Sequence, residues 1–324
     1  MIITKTPFRV SFCGGGTDIG YFYRENGGCV LSTTINKYMY VMLHPAFDPK
    51  KIVLKYSQNE TVEDAAEIRH VIFRCILQGK QLGGVEIVST ADIPSGTGLG
   101  SSSAFTVGLL HTICRYLGES VTKKMLAEEA CRIEIEKLLS PIGKQDQYAA
   151  AYGGMNHIVF HEDESVSVQA VKIDDKTKDA LQRNLVMFYT GMTHDANKIL
   201  KAQQQDYARD RRKKQNLLHL CRLTEDMKTA LEASELGEFG SMLHEGWMRK
   251  REFTDSVSTP FIDEAYATAL RYGALGGKLL GAGGCGFLLF YCPEEKHALL
   301  AEKLGLRVFP FSFEQDGSSV VYSS

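Results

Sequence analysis

Gly96, Gly98 and Gly100 alternate through Pro94-Ser-Gly-Thr-Gly-Leu-Gly-Ser-Ser-Ser103, and three serines follow the last of them. Glycine loses more conformational freedom on folding than any other residue, so this spacing says that the main chain itself is in use. Before the glycines, Val85–Ile93 is rich in β-branched residues and runs into Pro94, where a strand has to stop. After them, Ala104, Phe105, Leu109, Ile113 and Leu117 recur at three- and four-residue steps, which predicts a buried helix closed near Gly118. A strand, a glycine loop and a helix make a cradle for phosphate, because loop N–H groups converge on the anion and the helix end adds its partial positive charge. The hydroxyls of Ser101, Ser102 and Ser103 stand where they could cap that helix or reach a metal on the phosphates. Short Gly/Ser loops more often serve as capped turns. A Walker A loop needs Lys directly before the hydroxyl residue and finds Gly100 or Ser instead, and the spacing of a dinucleotide-binding fingerprint is also missed.

The elements that must hold this loop are readable in outline. Lys37–His44, Lys51–Ser57, Gly154–Phe160, Leu185–Gly191 and Gly286–Tyr291 read as strands. Lys123–Leu139, halted near Pro141, Asp195–Glu235, Phe261–Tyr272 and Pro293–Leu304 read as helices. Strands and helices mix without a strict βαβ repeat, which is the α+β class. The 324 residues allow two domains, with a boundary expected between about residues 160 and 185. The formal net charge of -2 gives no general attraction for nucleic acid or anionic membrane, so anion recognition must be local. The basic run Arg209–Lys214 reads as a solvated helix face rather than an anion patch. Eight cysteines scattered without metal-ligand spacing, no secretory pattern at Met1–Val10 and no long apolar stretch suggest a cytoplasmic chain with reduced thiols.

The segment Pro94–Ser102 resembles the phosphate loop of the GHMP kinases, which include galactokinase, homoserine kinase and mevalonate kinase. Two further segments agree in order and spacing. Pro7–Asp18 (PFRVSFCGGGTD) resembles the family's N-terminal substrate motif, and Lys278–Phe290 (KLLGAGGCGFLLF) resembles its C-terminal glycine motif. The resemblance covers essentially the whole chain. It implies a ribosomal-protein-like N-terminal domain over 1–170 and a ferredoxin-like C-terminal domain over 171–324. It also implies transfer of the ATP γ-phosphoryl group to a hydroxyl, a reaction in which the protein positions two oxygens and neutralises charge.

On that resemblance Pro94, Gly96, Thr97, Gly98, Leu99, Gly100, Ser101, Ser102 and Ser103 bind ATP, and Ser102 with Glu134 holds Mg²⁺. Glu136 is the other carboxylate on the same helix. The two stand about 200° apart, so only one of them can face the site. Asp146 in Gly143–Tyr148 is the expected catalytic base, with Arg9 as its cationic partner and Lys144 in a similar part. Gly14, Gly15, Gly16, Thr17 and Asp18 are the expected substrate site, joined by Gly283 and Gly284 as close-approach backbone.

The Gly-Gly-Gly-Thr-Asp turn, Gly-Lys-Gln-Asp-Gln-Tyr and Tyr152–Asn156 are most similar to the heptose 7-phosphate kinases of the family, which phosphorylate an anomeric C1 hydroxyl. That branch commonly has Thr-Arg where this chain has Thr193-His194, and a neutral imidazole cannot replace a guanidinium fork on a phosphate. Arg24, Lys37 and Lys144 are then the candidate cations for a distal phosphate. Fucose or another unphosphorylated sugar stays open as acceptor, as does a non-catalytic sugar sensor on the same scaffold. The chain could act as a monomer or a homodimer.

Overall fold

The computed structural model describes residues 1–191, 196–254 and 256–324. The chain opens with β1 (Ile2–Cys13), whose Phe8, Val10 and Phe12 are buried, then α1 (Gly20–Asn26) and the long β2 (Gly28–Pro45). Pro7 sits at a register shift between β1 and β2, where its missing N–H disturbs the ladder least. There follow β3 (Ile52–Lys55), β4 (Asn59–Val62), α2 (Val71–Lys80) and β5 (Val85–Ala91). Then come α3 (Ser101–Tyr116), α4 (Lys123–Cys131), α5 (Gln145–Tyr152), β6 (Met155–Phe160) and β7 (Val166–Ala170). The first sheet runs β1, β2, β5, β3, β4, with β6 and β7 continuing from β2, and only its β3–β5 pairing is parallel. Helices α3 and α5 lie against β1 and β2 and carry the cleft residues.

The second half supplies α6 (Asp175–Asn184), β8 (Leu185–Tyr189), α7 (Ala196–Arg209), α8 (Arg211–Glu232), α9 (Leu236–Arg251) and α10 (Pro260–Arg271). It continues through β9 (Gly276–Leu279), β10 (Phe287–Tyr291), α11 (His297–Leu304), β11 (Arg307–Val308), β12 (Phe313–Glu314) and β13 (Ser319–Ser323). The second sheet is antiparallel in the order β11, β8, β10, β9. Helix α8 packs on β2 while α9 packs on both β1 and β9, so this pair bridges the two sheets. Phe12 of β1 meets Phe239 of α9 edge-on at 5.2 Å, within a core that also buries Trp247.

Two features depart from the sequence reading. The expected helix Lys123–Leu139 is α-helical only to Cys131 and continues as a π-helical turn over Arg132–Lys137. Such wider turns recur at functional sites, and this one carries Glu134. The end of the chain also leaves the second sheet. β12 pairs with β2 and β13 pairs with β1, so residues from about 313 complete the first sheet.

Candidate active site

A cleft of about 930 Å³ lies between the glycine loop and the bridging helices. Its nucleotide end is made by the main chain. Gly96, Gly98 and Gly100 all have positive φ, and Gly100 occupies the N-cap of α3 in the left-handed region, with no side chain to cap the first turn. No side chain caps the opening N–H groups of α3, and its first residues Ser101–Ser103 line the cleft, an arrangement that suits an anion. A Cβ on Gly98 would stand 2.6 Å from the Leu280 carbonyl oxygen, and one on Gly286 would stand 2.4 Å from that of Thr97. The C-terminal glycine segment therefore serves as the backing against which the phosphate loop is folded. Farther out, Tyr56, His70 and Phe105 line the cleft as an aromatic wall, His70 lying 5.0 Å from Tyr56 and 5.3 Å from Phe105.

At the centre Arg9 and Asp146 meet as a fork. Arg9 Nε donates to Asp146 Oδ1 at 2.8 Å, Nη2 donates to Oδ2 at 3.0 Å, and Nη1 donates to the Gly98 carbonyl at 2.6 Å. The Arg9 N–H also donates to Leu99 O at 3.1 Å. One buried arginine thus ties β1, the phosphate loop and the first turn of α5 together, in the bidentate geometry that fixes a carboxylate's direction. Asp146 keeps part of its surface open to the cleft, its side chain being 24% exposed. A Cβ on Gly100 would come within 3.3 Å of it.

Glu134, not Glu136, faces the cleft. Its carboxylate is 2% exposed, accepting from Ser102 Oγ at 2.8 Å and from Gln147 Nε2 at 2.8 Å, while Glu136 is on the surface. Burial pushes the Glu134 carboxyl above its ordinary range, the bonds from Ser102, Ser103 and Gln147 opposing it. A buried carboxylate beside a serine hydroxyl at the phosphate cradle is the all-oxygen donor set that suits Mg²⁺. Asp18 is also buried. Its Oδ1 accepts from the Gly16 N–H at 3.0 Å and its Oδ2 from the Gln145 N–H at 3.2 Å. Burial, and then the Asp146 charge, raises its pKa. Gly143 is required beside it, since a Cβ there would lie 1.9 Å from Asp18 Oδ2.

Several expected residues have other places. Lys144 donates its main-chain N–H to Asp18 O at 3.2 Å, but its ammonium turns to the Glu164 carbonyl at 3.0 Å and lies over the Tyr23 ring. It is no partner of Asp146, because Glu164 and Tyr23 hold it outside the cleft. Gly283 and Gly284 pack against Val257, where a Cβ on Gly283 would come within 2.7 Å of the Val257 Cα, so they serve the turn and not the acceptor. Gly14 and Thr17 shape the substrate turn from behind. Thr17 Oγ1 donates to Gly14 O and Cys29 O, each at 2.8 Å, while Gly15, Gly16 and Asp18 line the cleft. Thr97 and Leu99 are buried beneath the phosphate loop, and Pro94, Ser101, Ser102 and Ser103 line it. Arg24 pairs with Glu164 at 2.9 Å and Lys37 lies over the Phe309 ring, so neither cation reaches the cleft. Thr193 and His194 lie outside the described residues.

Two lysines that sequence reasoning left without a role also face the cleft, Lys250 of α9 and Lys278 of β9. Both are buried and both line the cleft. Lys250 Nζ donates to the carbonyls of Gly281 and Leu279, and Lys278 Nζ donates to Phe12 O at 3.0 Å. Among the described residues neither forms an ion pair. Burial lowers the Lys278 pKa to about 8, and burial together with Lys278 and Arg9 lowers that of Lys250. A buried amine held only by carbonyls tends to lose its proton, and an anion brought into the cleft would favour the charged form of both. Lys278 opens the very glycine segment singled out above, and Lys250 follows Trp247 on a helix with an apolar face. Burial of that face was the one available signal.

Such a site, with a main-chain phosphate cradle, a guanidinium-oriented carboxylate and a buried oxygen donor pair, belongs to a phosphotransferase. The family models agree. The GHMP kinases N terminal domain matches residues 61–154 and the GHMP kinases C terminal domain matches residues 227–305. A D-glycero-alpha-D-manno-heptose 7-phosphate kinase from Campylobacter jejuni is 30% identical, over 98% of this chain and 97% of its own. A galactokinase from Pyrococcus furiosus is 27% identical over 60% of this chain and 54% of its own. Among solved structures, a D-glycero-D-manno-heptose 1-phosphate kinase from Bacteroides thetaiotaomicron superposes with a TM-score of 0.81 at 25% identity, covering all of both chains. The chain belongs to the GHMP kinases. It is an enzyme of the kinase class, in a family whose phosphate donor is ATP.

Proposed function

We propose that this sugar kinase transfers the γ-phosphoryl group of ATP to the anomeric C1 hydroxyl of D-glycero-D-manno-heptose 7-phosphate. The observation that carries the reading is the Arg9–Asp146 fork, open to the cleft between the phosphate loop and the Gly15–Asp18 turn. The acceptor hydroxyl gives its proton to an Asp146 oxygen as it attacks the γ-phosphorus, and the bond from phosphorus to the β-bridging oxygen breaks to release ADP. Arg9 fixes the direction of the Asp146 carboxylate and keeps cationic charge beside the transferring group. Asp18 accepts sugar hydroxyls. Its two present donors are main-chain N–H groups, so it holds its place whether or not a sugar is bound. Ser102 and Glu134 would hold Mg²⁺, which shields the charge of the phosphates when bound.

The phosphorylated acceptor is supported by Lys250 and Lys278, two buried lysines that line the cleft without an ion-pair partner among the described residues and that a phosphate would hold in the charged form. The name of the similar Campylobacter jejuni enzyme, a heptose 7-phosphate kinase, points the same way. ADP release measured across a panel of sugars tests the assignment. Turnover is expected with the heptose 7-phosphate and not with L-fucose or galactose. Turnover of an unphosphorylated sugar alone would overturn it.

A further inference from the structure

Outside the cleft, a second cluster of chemically able side chains joins the first sheet to α8. In the β2–β6 ladder Cys29 stands opposite Val159 and Leu31 opposite His157, so Cys29 and His157 are diagonal neighbours on one face. Helix α8 crosses that face and presents Cys221 and Glu225, one turn apart. One ligating atom from each of Cys29, His157 and Glu225 lies within 4.8 Å of the other two. The Cys221 thiol is in hydrogen-bond contact with that of Cys29, whose Sγ also donates to Cys221 O at 3.5 Å.

His157 points to a ligand. It is 2% exposed, and neither ring nitrogen has a hydrogen-bond partner, although Nε2 stands 3.2 Å from Glu225 Oε1. Buried polar groups are almost always satisfied, whereas here Nδ1 has no partner and Nε2 meets only the Glu225 carboxylate, outside hydrogen-bond geometry. Glu225 has a half-exposed side chain and opens the cluster to solvent.

We propose that Cys29, His157 and Glu225 hold a Zn²⁺ ion that fastens α8 to the first sheet, with Cys221, which touches Cys29 but stands outside the group of three, drawn in as the fourth ligand. Two sulfurs, one imidazole nitrogen and one carboxylate oxygen make the borderline-soft, four-ligand set that selects zinc over magnesium or calcium. The thiols bind as thiolates, so the metal displaces their protons to solvent. Zinc–ligand bonds of about 2.0–2.3 Å bring the donors somewhat closer together than they stand here, drawing α8 toward β2. The site also backs the acceptor turn. The carbonyl of Cys29 accepts from Thr17 Oγ1 at 2.8 Å, and a Cβ on Gly14 would lie 2.0 Å from that same oxygen. Metal occupancy is thereby coupled to the turn that carries Asp18.

The test uses the full chain, stripped with a chelator and titrated with Co²⁺ and then Zn²⁺. One equivalent of Co²⁺ is expected to give a thiolate charge-transfer band and the visible bands of a tetrahedral ion, both erased by Zn²⁺. Zn²⁺ is expected to raise the melting temperature and to lower the KM for the sugar. Cys29→Ser and Cys221→Ser each diminish the thiolate band. Glu225→Ala, at an exposed position, keeps the metal-free melting temperature of the wild type and weakens Co²⁺ binding at least about tenfold, as loss of one ligand should. No stoichiometric uptake, or a Co²⁺ spectrum unchanged in all three variants, overturns the proposal.

Discussion

On the proposed reading, the nucleotide end of the cleft is built from consecutive residues, Pro94 to Ser103, whereas the acceptor end gathers Arg9, Asp18, Asp146, Lys250 and Lys278 from separate elements. The first works mainly through main-chain N–H groups and the absence of a Cβ, with Ser102 Oγ, bonded to Glu134, as its chief side-chain contribution. The second works through buried charges, each held by bonds from a different part of the chain. A site of the first kind fails by strain at one glycine. A site of the second kind fails charge by charge, and its failures separate substrate binding from catalysis.

The largest expected effect falls where the two ends meet. Asp146→Ala removes the proton acceptor and leaves the phosphate loop intact, so kcat should fall by on the order of 10²–10⁴ with little change in ATP affinity. Steady-state kinetics with a nucleotide-binding titration check both parts. An unchanged kcat would remove the base from the mechanism.

Gly98→Ala acts on the nucleotide end alone. Gly98 has φ +84° and a Cβ there would meet Leu280 O at 2.6 Å, so the variant should lose about 1–3 kcal/mol of stability. The ATP KM should rise with it, and the acceptor KM should not. Thermal unfolding and the two KM values decide this. A variant as stable as the wild type would mean that the glycine segments do not back each other as described.

The same contrast explains what was legible in the sequence. The phosphate loop is a local pattern, readable because Gly96, Gly98 and Gly100 declare a main-chain function by their spacing. The helix from Ser101 and its end at Gly118 follow from apolar periodicity, and Asp146, Arg9 and Glu134 came through the resemblance of short segments. The roles of Lys250 and Lys278 were not legible, because nothing local tells a buried lysine from a solvated one. Their burial depends on α9 packing against β9 and β1, contacts between segments far apart in sequence. Lys144 misled for the complementary reason. It adjoins Asp146 in sequence, but the turn of the chain into α5 sends its ammonium to Glu164. The return of β12 and β13 to the first sheet was equally hidden, since β12 is two residues long and β13 is largely exposed.

At the acceptor end the charge of Lys278 should be visible as a pH dependence. Its pKa is lowered to about 8, so the ammonium is present at pH 7 and is lost as the pH rises through 8. The KM for a phosphorylated sugar should therefore rise about tenfold by pH 9, as one unit above a pKa leaves about a tenth of the cation. Lys278→Met should have a high KM throughout and no such rise. Stability moves the other way. The unfolded chain binds more protons here than the folded one between about 8 and 10.5, so wild-type stability relative to Lys278→Met should increase across that window. KM–pH profiles and unfolding curves for both proteins test the two signs independently.

Lys144→Met is the smallest change and the sharpest on where the acceptor end stops. The ammonium it removes is paired with Glu164, whose side chain is 47% exposed, and pairs of that kind contribute at most about 1 kcal/mol. Its main-chain N–H donates to Asp18 O and persists in the variant, so the support that position 144 gives to the substrate turn survives. The methionine can lie along Tyr23 in place of the lysine stem, keeping the contact with that ring. Activity within about twofold of wild type and a stability loss under about 1 kcal/mol are therefore expected. A rise in the acceptor KM like that of Lys278→Met would mean that Lys144 swings from Glu164 to the bound sugar. The acceptor end would then include a surface cation as well as buried ones.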